Sequence, residues 1–381
     1  MYKKIFMGIA AMAALTLVSC SSDDLNSLSD NSSKNEAISF DGYLGRSAVA
    51  VNGSRGIVLD IDALKGTDSD KKGFGVFGYY NSSVTDHGSA PEQSFDANLF
   101  NNEHVTCLNG AADWSYTPLK YWPAQGHIDF YAYAPYDATT ALKKTTETEQ
   151  KNTSCIDFTV DKEITKQKDL LWANAENKTK DNLSSEEKNK VKFQFGHALS
   201  RLGYSVKLNR AVSESDATIT LNKITLAGSA NKDTKAFYTK GTIDLSKTSS
   251  NGLWTSPDPT DSKQNFEWFS DENKQPSEKT LSSEDDKAIK NSGNEYLFVI
   301  PQKFKTGSDH LYVIVEYTIE YKSGTAKPTV SYKVSQQLPY DFEQGKAYTI
   351  NLNIGLIPIE FNAAVTDWDP KDGSPIDASW N

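Results

Sequence analysis

The residues of this sequence that could do chemistry are five histidines, three cysteines and one glycine-rich hexapeptide. No histidine belongs to an H-E-x-x-H pair and no two cysteines form C-x-x-C, so the spacing predicts neither a zinc site nor a thioredoxin-like redox site. No serine stands in a G-x-S-x-G motif. The hexapeptide Gly73–Gly78 fits G-x-G-x-x-G, but Tyr79 and Tyr80 after it favour a strand over the helix that a dinucleotide site requires. We therefore expect a protein that is not an enzyme and that binds no metal or other cofactor.

The N-terminus has the parts of a bacterial lipoprotein signal. Lys3 and Lys4 precede an apolar run of 14 residues, Ile5–Val18, which is shorter than the ~20 residues that a membrane-spanning helix needs. The run ends at a cysteine in a setting that resembles the lipobox. This predicts removal of residues 1–19 and attachment of diacylglycerol and a further acyl chain (palmitate) to Cys20, which would hold the chain at the outer membrane.

The remaining composition is typical of an acidic exported protein. Residues 20–35 are polar and are predicted to form a disordered tether, in which Asp23-Asp24 resembles the signal that directs Bacteroidia lipoproteins to the cell surface. Lys and Arg total 40 and Asp and Glu total 50, so loss of the two signal-peptide lysines leaves 38 − 50 = −12. We expect no nucleic-acid partner, because such partners need a concentrated positive surface. Spacing alone leaves open whether Cys107 and Cys155 form a disulfide.

Apolar residues alternate with polar ones in many short segments, which predicts β-strands rather than helices. The clearest segments are Ile128–Ala134, Val191–Phe195, Leu202–Leu208, Ile219–Leu226 (with a phase slip that suggests a bulge) and Tyr348–Ile354. Turn-forming residues separate them, as in antiparallel β-sandwiches. From the length we expect two domains, residues 36–185 and 186–381, joined near the polar segment Asn174–Lys190.

An aromatic cluster allows two interpretations. Trp114, Tyr116, Tyr121 and Trp122 could form a platform for sugar rings, or they could pack at the edge of a sandwich, since Pro118 and Pro123 and a predicted strand lie close by. Sequence alone favours neither interpretation.

Six segments, in this order, resemble the fimbrillin family of Bacteroidia, which comprises the type V pilins and the Mfa-like fimbrillins. They are Trp114–Pro123, Ile128–Pro135, Val191–Arg201, Ile300–Gln302, Phe342–Tyr348 and Val365–Trp368. The resemblance implies an all-β fold of two tandem transthyretin-like antiparallel β-sandwich domains after the signal peptide and tether. It also implies a surface-exposed location on the outer membrane, in a fimbria.

The resemblance further implies an assembly cycle. A trypsin-like, arginine-specific protease removes the first strand of the lipoprotein, and a strand of another fimbrial subunit fills the groove that is left. In this sequence Ala37–Leu44 has the alternation of the removable strand, with Ile38 and Phe40 on one face. Arg55 is the favoured cleavage site because its position matches the family better, and Arg46 is the alternative.

A donor strand must be extended, with alternate apolar residues for the pockets of the groove. This spacing occurs at Ile357, Ile359, Phe361, Ala363 and Val365. The same segment could be the last strand of its own sandwich, which is slightly favoured because only thirteen residues follow Trp368. The short tail also favours a tip or accessory subunit over a main stalk subunit.

The expected function is therefore that of a structural or adhesive subunit of a surface fimbria. Its expected partners are other fimbrial subunits, the outer membrane through the lipid, the arginine-specific protease and, for an adhesive role, a host or bacterial surface glycan or protein. The alternative is a surface glycan-binding lipoprotein of a polysaccharide-uptake system, in which the aromatic cluster would bind sugar.

Overall fold

The structure is a computed structural model that describes residues 36–44, 61–67, 70, 72–82, 99–108, 111, 113–143, 154–183, 190–209, 214–247, 253–255, 263–291, 296–323, 327–355 and 360–367. Regular structure in these ranges is almost entirely β, and the α-helix α1 (Pro276–Lys279) is a single turn. No helix in them is long and apolar enough to cross a bilayer. The expected all-β class is confirmed.

The strands of the first half of the chain are β1 (Phe40–Leu44), β2 (Phe74–Asn81), β3 (Phe100–Val105), β4 (His127–Ala134), β5 (Cys155–Thr159), β6 (Leu171–Lys178) and β7 (Val191–His197). Those of the second half are β8 (Ser200–Leu208), β9 (Ala217–Ala227), β10 (Phe237–Tyr238), β11 (Lys240–Asp244), β12 (Trp254–Thr255), β13 (Lys263–Gln264), β14 (Phe266–Ser270), β15 (Ile289–Lys290), β16 (Leu297–Val299), β17 (Gln302–Lys303), β18 (Tyr312–Tyr321), β19 (Thr329–Gln337), β20 (Asp341–Phe342), β21 (Lys346–Ile354) and β22 (Glu360–Asp367). Short 3-10 turns lie at Ile164–Lys166, Lys180–Asn182 and Asp285–Lys287.

Six strands of the first half form one sheet, which we call the N-terminal sheet, in the order β1-β7-β6-β4-β2-β3. Its pairs are antiparallel except for β1 and β7, which run parallel. Alternate side chains of these strands, such as Phe74, Phe130 and Phe193, are buried together in one apolar cluster, the N-terminal core. The period-two pattern thus predicted the buried face correctly.

The glycine-rich hexapeptide lies at the start of β2, as predicted, and its glycines are explained by close packing. A Cβ atom on Gly75 would lie 2.3 Å from Cε1 of Tyr133, and one on Gly78 would lie 2.7 Å from Cδ2 of Phe100. Real Cβ atoms do not approach other atoms so closely, so only glycine lets the neighbouring rings pack here.

The second half of the chain places two sheets around a C-terminal core. Their orders are β14-β9-β18-β19 and β15-β8-β21-β22, with β16 also paired to β8. Side chains of both sheets, among them Tyr204, Leu221 and Ile350, are buried in this core. The predicted phase slip in β9 is a bulge, because the pairing with β18 skips Asn222.

A fourth sheet joins the two halves of the chain. It has the order β12-β11-β5, and β5 pairs with β11 so that Asp157 lies opposite Thr242. A third buried cluster, which includes Tyr133, Ile156 and Phe298, lies at this junction. The tyrosines of β4 that the alternation placed on an outer face are therefore covered, Tyr133 fully and Tyr131 in part.

Part of the predicted linker is wrong. Residues 174–178 of the polar segment belong to β6, where the Asn174 side-chain amide donates hydrogen bonds to the carbonyls of Leu245 and Lys247 at 3.0 and 2.7 Å. Polar strand residues are stable there because such bonds satisfy them. Strand β7 pairs with β6, so the N-terminal sheet has strands on both sides of the predicted boundary at 185/186, and a division that keeps it whole would follow His197.

Candidate functional site

Strand β1 lies at one edge of the N-terminal sheet, and its parallel partner β7 is more than 140 residues away in sequence. The register places Phe40 opposite Val191 and Leu44 opposite Phe195. An edge strand is bonded to the sheet on one side only, so it can leave without breaking the pairing of the remaining strands. Strand β1 shares this property with β3, the strand at the other edge of the sheet, but β1 is the first strand of the chain, so a single cut after it separates it from the rest.

The side chains of this segment alternate between the core and the surface. Ile38 and Phe40 are each only 1% exposed, and Gly42 is buried as well. Tyr43, on the opposite side, is 44% exposed. Of the predicted segment Ala37–Leu44, Phe40–Leu44 forms a strand, and Ile38, just before it, faces the core as Phe40 does. Removal of this segment stays a prediction.

Phe40 lies in an aromatic cage. Its ring centroid is 5.3 Å from that of Phe100, 5.4 Å from those of Tyr116 and Phe130, and 5.6 Å from that of Phe193. Two of these contacts, with Phe100 and Phe130, are edge-to-face, the arrangement that the ring quadrupole favours. If Phe40 were withdrawn without replacement, four rings would line an empty cavity.

The residues before β1 have backbone partners on a second side. The amide of Ile38 donates to the carbonyl of Lys120 at 2.8 Å, and the amide of Trp122 donates to the carbonyl of Glu36 at 3.0 Å. On the other side the amide of Val191 donates to the carbonyl of Ser39 at 2.8 Å. Residues 36–39 therefore lie between Lys120–Trp122 and β7. We call the surface that holds residues 36–44 the β1 slot.

A tyrosine hydroxyl closes this end of the β1 slot. The Tyr116 Oη donates to the carbonyl of Ile38 at 2.8 Å and accepts from the amide of Lys120 at 3.3 Å. Burial raises the pKa of the Tyr116 hydroxyl, so it stays protonated and able to donate. Glu36 also pairs with Lys180, whose Nζ lies 3.1 Å from its Oε2. The slot thus binds residues 36–44 through buried apolar side chains and through hydrogen bonds to the backbone, and the charge of Glu36 is paired with that of Lys180.

The other predicted assembly residues lie mostly outside the described ranges. These are Cys20, Arg46, Arg55, Ile357 and Ile359. Both arginines fall in the sequence between β1 and Ile61. The predictions made for these residues stay predictions.

The predicted donor segment overlaps strand β22, which is the edge strand of its own sheet. It pairs antiparallel with β21 along its length, so that Phe361 lies opposite Leu352 and Val365 opposite Tyr348. Val365 packs in part against the C-terminal core. The structure therefore shows this segment as the last strand of its own sheet.

The predicted sugar platform is not formed. Trp114, Tyr116 and Trp122 are at most 9% exposed and belong to the N-terminal core, and only Tyr121 is largely exposed. Trp114 packs on Phe74 with ring centroids 4.8 Å apart. Of the two interpretations, packing against the sandwich is correct, because three of the four rings are buried in the N-terminal core.

Among the described residues, the cysteines and histidines form neither a disulfide nor a cluster that could bind a metal ion. Cys107 and Cys155 are both free thiols, so no disulfide joins them. His197 is buried, with its Nδ1 2.7 Å from Oδ2 of the fully buried Asp169. Across the described ranges, no group of three or more His, Cys, Asp or Glu side chains could hold a metal ion.

Sequence reasoning missed the second side of the β1 slot. Nothing in the sequence indicates that Lys120–Trp122 pairs with Glu36–Ile38, since the two segments are some eighty residues apart and neither forms a long strand. The sequence places Tyr116 among the candidates for sugar binding, whereas its hydroxyl donates to the backbone of Ile38 in the β1 slot.

Comparisons with known proteins agree with this fold. A family model described as fimbrillin-like matches residues 64–368, a range that includes β2 to β22 and begins after β1. The crystal structure of a fimbrial protein from Bacteroides vulgatus is similar with a TM-score of 0.65 at 23% identity, covering 88% of this chain and 100% of that one, which shows a shared fold. The tip fimbrial protein Mfa3 from Porphyromonas gingivalis is a more distant likeness, with a TM-score of 0.34 and 11% identity over 78% of this chain and 100% of that one. No curated protein matches.

Proposed function

The chain belongs to the fimbrillin-like family, and we propose that it is a structural or adhesive subunit of a surface fimbria, assembled by exchange of β1 for a strand of a neighbouring subunit. The observation that carries the proposal is the β1 slot, in which Phe40 of the edge strand β1 and Ile38 just before it are buried among the side chains of the N-terminal core.

The energetics favour exchange over simple loss of β1. Burial of each large apolar side chain contributes about 1.5–3 kcal/mol, so Ile38 and Phe40 together contribute about 3–6 kcal/mol. An empty slot would also expose unpaired backbone groups on β7 and on Lys120–Trp122. A neighbour that supplies equivalent side chains and backbone bonds would recover this free energy, and its dissociation would be slow.

The chain itself contains a segment with the required pattern. Ile38-Ser-Phe40-Asp-Gly42-Tyr-Leu44 and Ile359-Glu-Phe-Asn-Ala-Ala-Val365 have isoleucine, phenylalanine, a small residue and an aliphatic residue at the same alternate positions. In a neighbour's slot, Phe361 would then take the place of Phe40. A chain with both a slot and a matching strand favours a subunit that accepts and donates. The short tail after Trp368 instead favours a tip or accessory subunit, and a tip subunit need only accept.

Donation requires β22 to leave its own sheet. Strand β22 is an edge strand with the single neighbour β21, so its departure breaks one ladder and leaves the rest of the C-terminal sheets paired. The bonds lost to β21 would be replaced by bonds to β7 and to Lys120–Trp122 of the neighbour.

Release of β1 requires cleavage between Leu44 and Ile61. Arg55 is the proposed cleavage site for an arginine-specific, trypsin-like protease, with Arg46 as the alternative. Before cleavage, lipidation at Cys20 and the tether of residues 20–35 would present the chain on the outer face of the outer membrane. No catalytic step by this chain is part of the proposal.

The test uses the chain from Ser21 onward and an arginine-specific protease. We expect N-terminal trimming followed by a ladder of oligomers that resists SDS without heating. A variant with both Arg46→Ala and Arg55→Ala should give neither, and Phe361→Ser should be trimmed but should form no ladder. A ladder that forms equally well without trimming would contradict the proposal.

A further inference from the structure

We infer that the third inward position of the β1 slot, which Gly42 occupies, selects the partner strand by size: it admits glycine or alanine and rejects larger side chains. The inference rests on the proposed strand exchange and adds to it the sequence rule that a donor must satisfy.

The position is enclosed by three apolar side chains. A Cβ atom built on Gly42 would lie 3.2 Å from Cε2 of Phe195, 3.5 Å from Cδ1 of Ile61 and 3.5 Å from Cε1 of Phe74. Optimal contacts between carbon atoms are about 3.5–4.0 Å. One methyl group therefore fits after a small shift of the Phe195 ring, whereas a branched side chain would need space that these atoms occupy.

The side chains around Gly42 have little space into which they could move. Phe195 is 2% exposed, and its ring centroid lies 5.3 Å from that of Phe74 and 6.0 Å from that of Phe193. Phe74 is fully buried and is packed in turn on Trp114. Close-packed interiors transmit such displacements rather than absorb them, so a larger residue at this position would disturb several rings.

The neighbouring positions have the opposite preference. Phe40 fills a cage of four rings and Ile38 is 1% exposed, so these positions require large side chains. The slot therefore specifies a donor of the form aliphatic, aromatic, small, aliphatic at alternate residues.

Two other strands of the chain can be compared with this donor pattern. Ile156, Phe158 and Val160 in and after β5 have the first two side chains but a β-branched residue at the third position, so the slot should reject this segment. Ile128, Phe130 and Ala132 obey the rule, but β4 lies between β2 and β6 in the centre of the N-terminal sheet. Of the three, the edge strand that includes Phe361 and Ala363 is the one that both fits and is free to leave, so the expected partner is a second copy of this chain.

The experiment measures exchange of β1 for synthetic peptides. A specific protease site placed between Arg46 and Arg55 allows the chain to be nicked while β1 stays bound without a covalent link. Native mass spectrometry then follows replacement of the β1 fragment by a peptide of residues 357–367. We expect the wild-type peptide to exchange, and the peptide with Ala363→Val to exchange at least tenfold less at equilibrium, which corresponds to about 1.4 kcal/mol.

Two controls isolate the effect of size at this position. The peptide with Asn362→Val adds a similar side chain at a position equivalent to Asp41, which faces away from the core, and should exchange like the wild type. A peptide of residues 154–162 should not exchange. In a nicked chain with Phe195→Leu, which opens the wall, the Ala363→Val peptide should recover most of its loss.

The outcomes separate the two proposals. If the wild-type peptide does not displace β1, strand exchange itself is overturned, and the size rule with it. If the wild-type and Ala363→Val peptides exchange equally, strand exchange stands and the size rule is overturned. In the intact chain, Gly42→Val should lower the thermal midpoint clearly more than Gly42→Ala does, and Phe195→Leu should reduce that difference; equal midpoints for the two variants would also overturn the rule.

Discussion

Replacement of Phe40 by alanine should lower the unfolding free energy of the N-terminal core more than truncation of any other side chain in residues 36–44. Substitution of a buried phenylalanine by alanine costs about 3–5 kcal/mol, depending on how far the site collapses. Phe40 is 1% exposed and four buried rings lie around it, so truncation would leave a cavity lined by buried side chains. We therefore expect a loss near the middle of this range, about 4 kcal/mol in the unfolding free energy of the N-terminal core.

The assay is guanidinium unfolding of the uncleaved chain, followed by tryptophan fluorescence. Trp114 and Trp122 belong to the same core as Phe40, so they report its unfolding. Tyr43→Ala is the matched control, because Tyr43 is an aromatic residue of the same strand that is 44% exposed, and its loss should cost less than about 0.5 kcal/mol. If the two variants unfold at the same denaturant concentration, β1 does not hold the core through Phe40, and the slot described here is wrong.

Three further predictions concern other parts of the chain. Trp122→Ala should destabilise the N-terminal core by about 3–5 kcal/mol, as measured by unfolding. It should leave any binding of polysaccharide by the folded protein unchanged, as measured by isothermal titration. Loss of sugar binding without loss of stability would contradict the packing role. Burial, and next the Asp244 carboxylate, raises the pKa of the Cys155 thiol to about 11, so its alkylation by iodoacetamide should keep accelerating up to about pH 11, whereas a plateau near pH 9 would refute this. Burial acts to raise the pKa of Asp244, but hydrogen bonds from Ser154 and Ser246 outweigh it and lower the pKa below 3.8, so the charged carboxylate stabilises the fold above that pH. Asp244→Asn should therefore be less stable than the wild type at pH 7, by an amount that shrinks as the pH falls below about 4. Unfolding midpoints of the two proteins at pH 7 and pH 3 would show this.

The strands themselves could be predicted from the sequence because each carries its own signal. The alternation of Val191, Phe193 and Phe195 predicts both a strand and its buried face, and β7 has both. The same holds for β4 and for the bulge in β9. The side-chain period and the residue types are local properties of a segment, so they can be recognised without knowing which strand pairs with it.

The pairing could not be predicted, because it depends on contacts between distant segments. Strand β1 binds β7 across about 150 residues, and β5 binds β11 across about 85. Alternation indicates which face of a strand is buried but not which strand lies beside it. For this reason the sequence places β7 in the second domain and predicts a linker that begins at Asn174, whereas residues 174–178 are five of the eight residues of β6.

The candidate site shows the same difference between local features, which the sequence predicts, and contacts between distant segments, which it does not predict. The spacing of Ile38 and Phe40 predicts that both face the core, and both are buried, Phe40 within β1 and Ile38 just before it. The aromatic cluster was ambiguous, because the burial of Trp114 and Trp122 depends on a loop whose course the sequence does not indicate. The role of Gly42 was also hidden, because it depends on Phe195 and Ile61 around it.

The most direct test of the central claim follows the β1 fragment after cleavage as the concentration of the chain is raised. The chain is nicked between Leu44 and Ile61, and native mass spectrometry is combined with hydrogen exchange at the amides of β7. We predict that at low concentration the nicked monomer keeps its β1 fragment and its protected β7 amides, and that at high concentration dimers form from which one fragment is missing while β7 stays protected. Dimers that retain both fragments, or β7 amides that lose protection as soon as the fragment departs, would contradict the account.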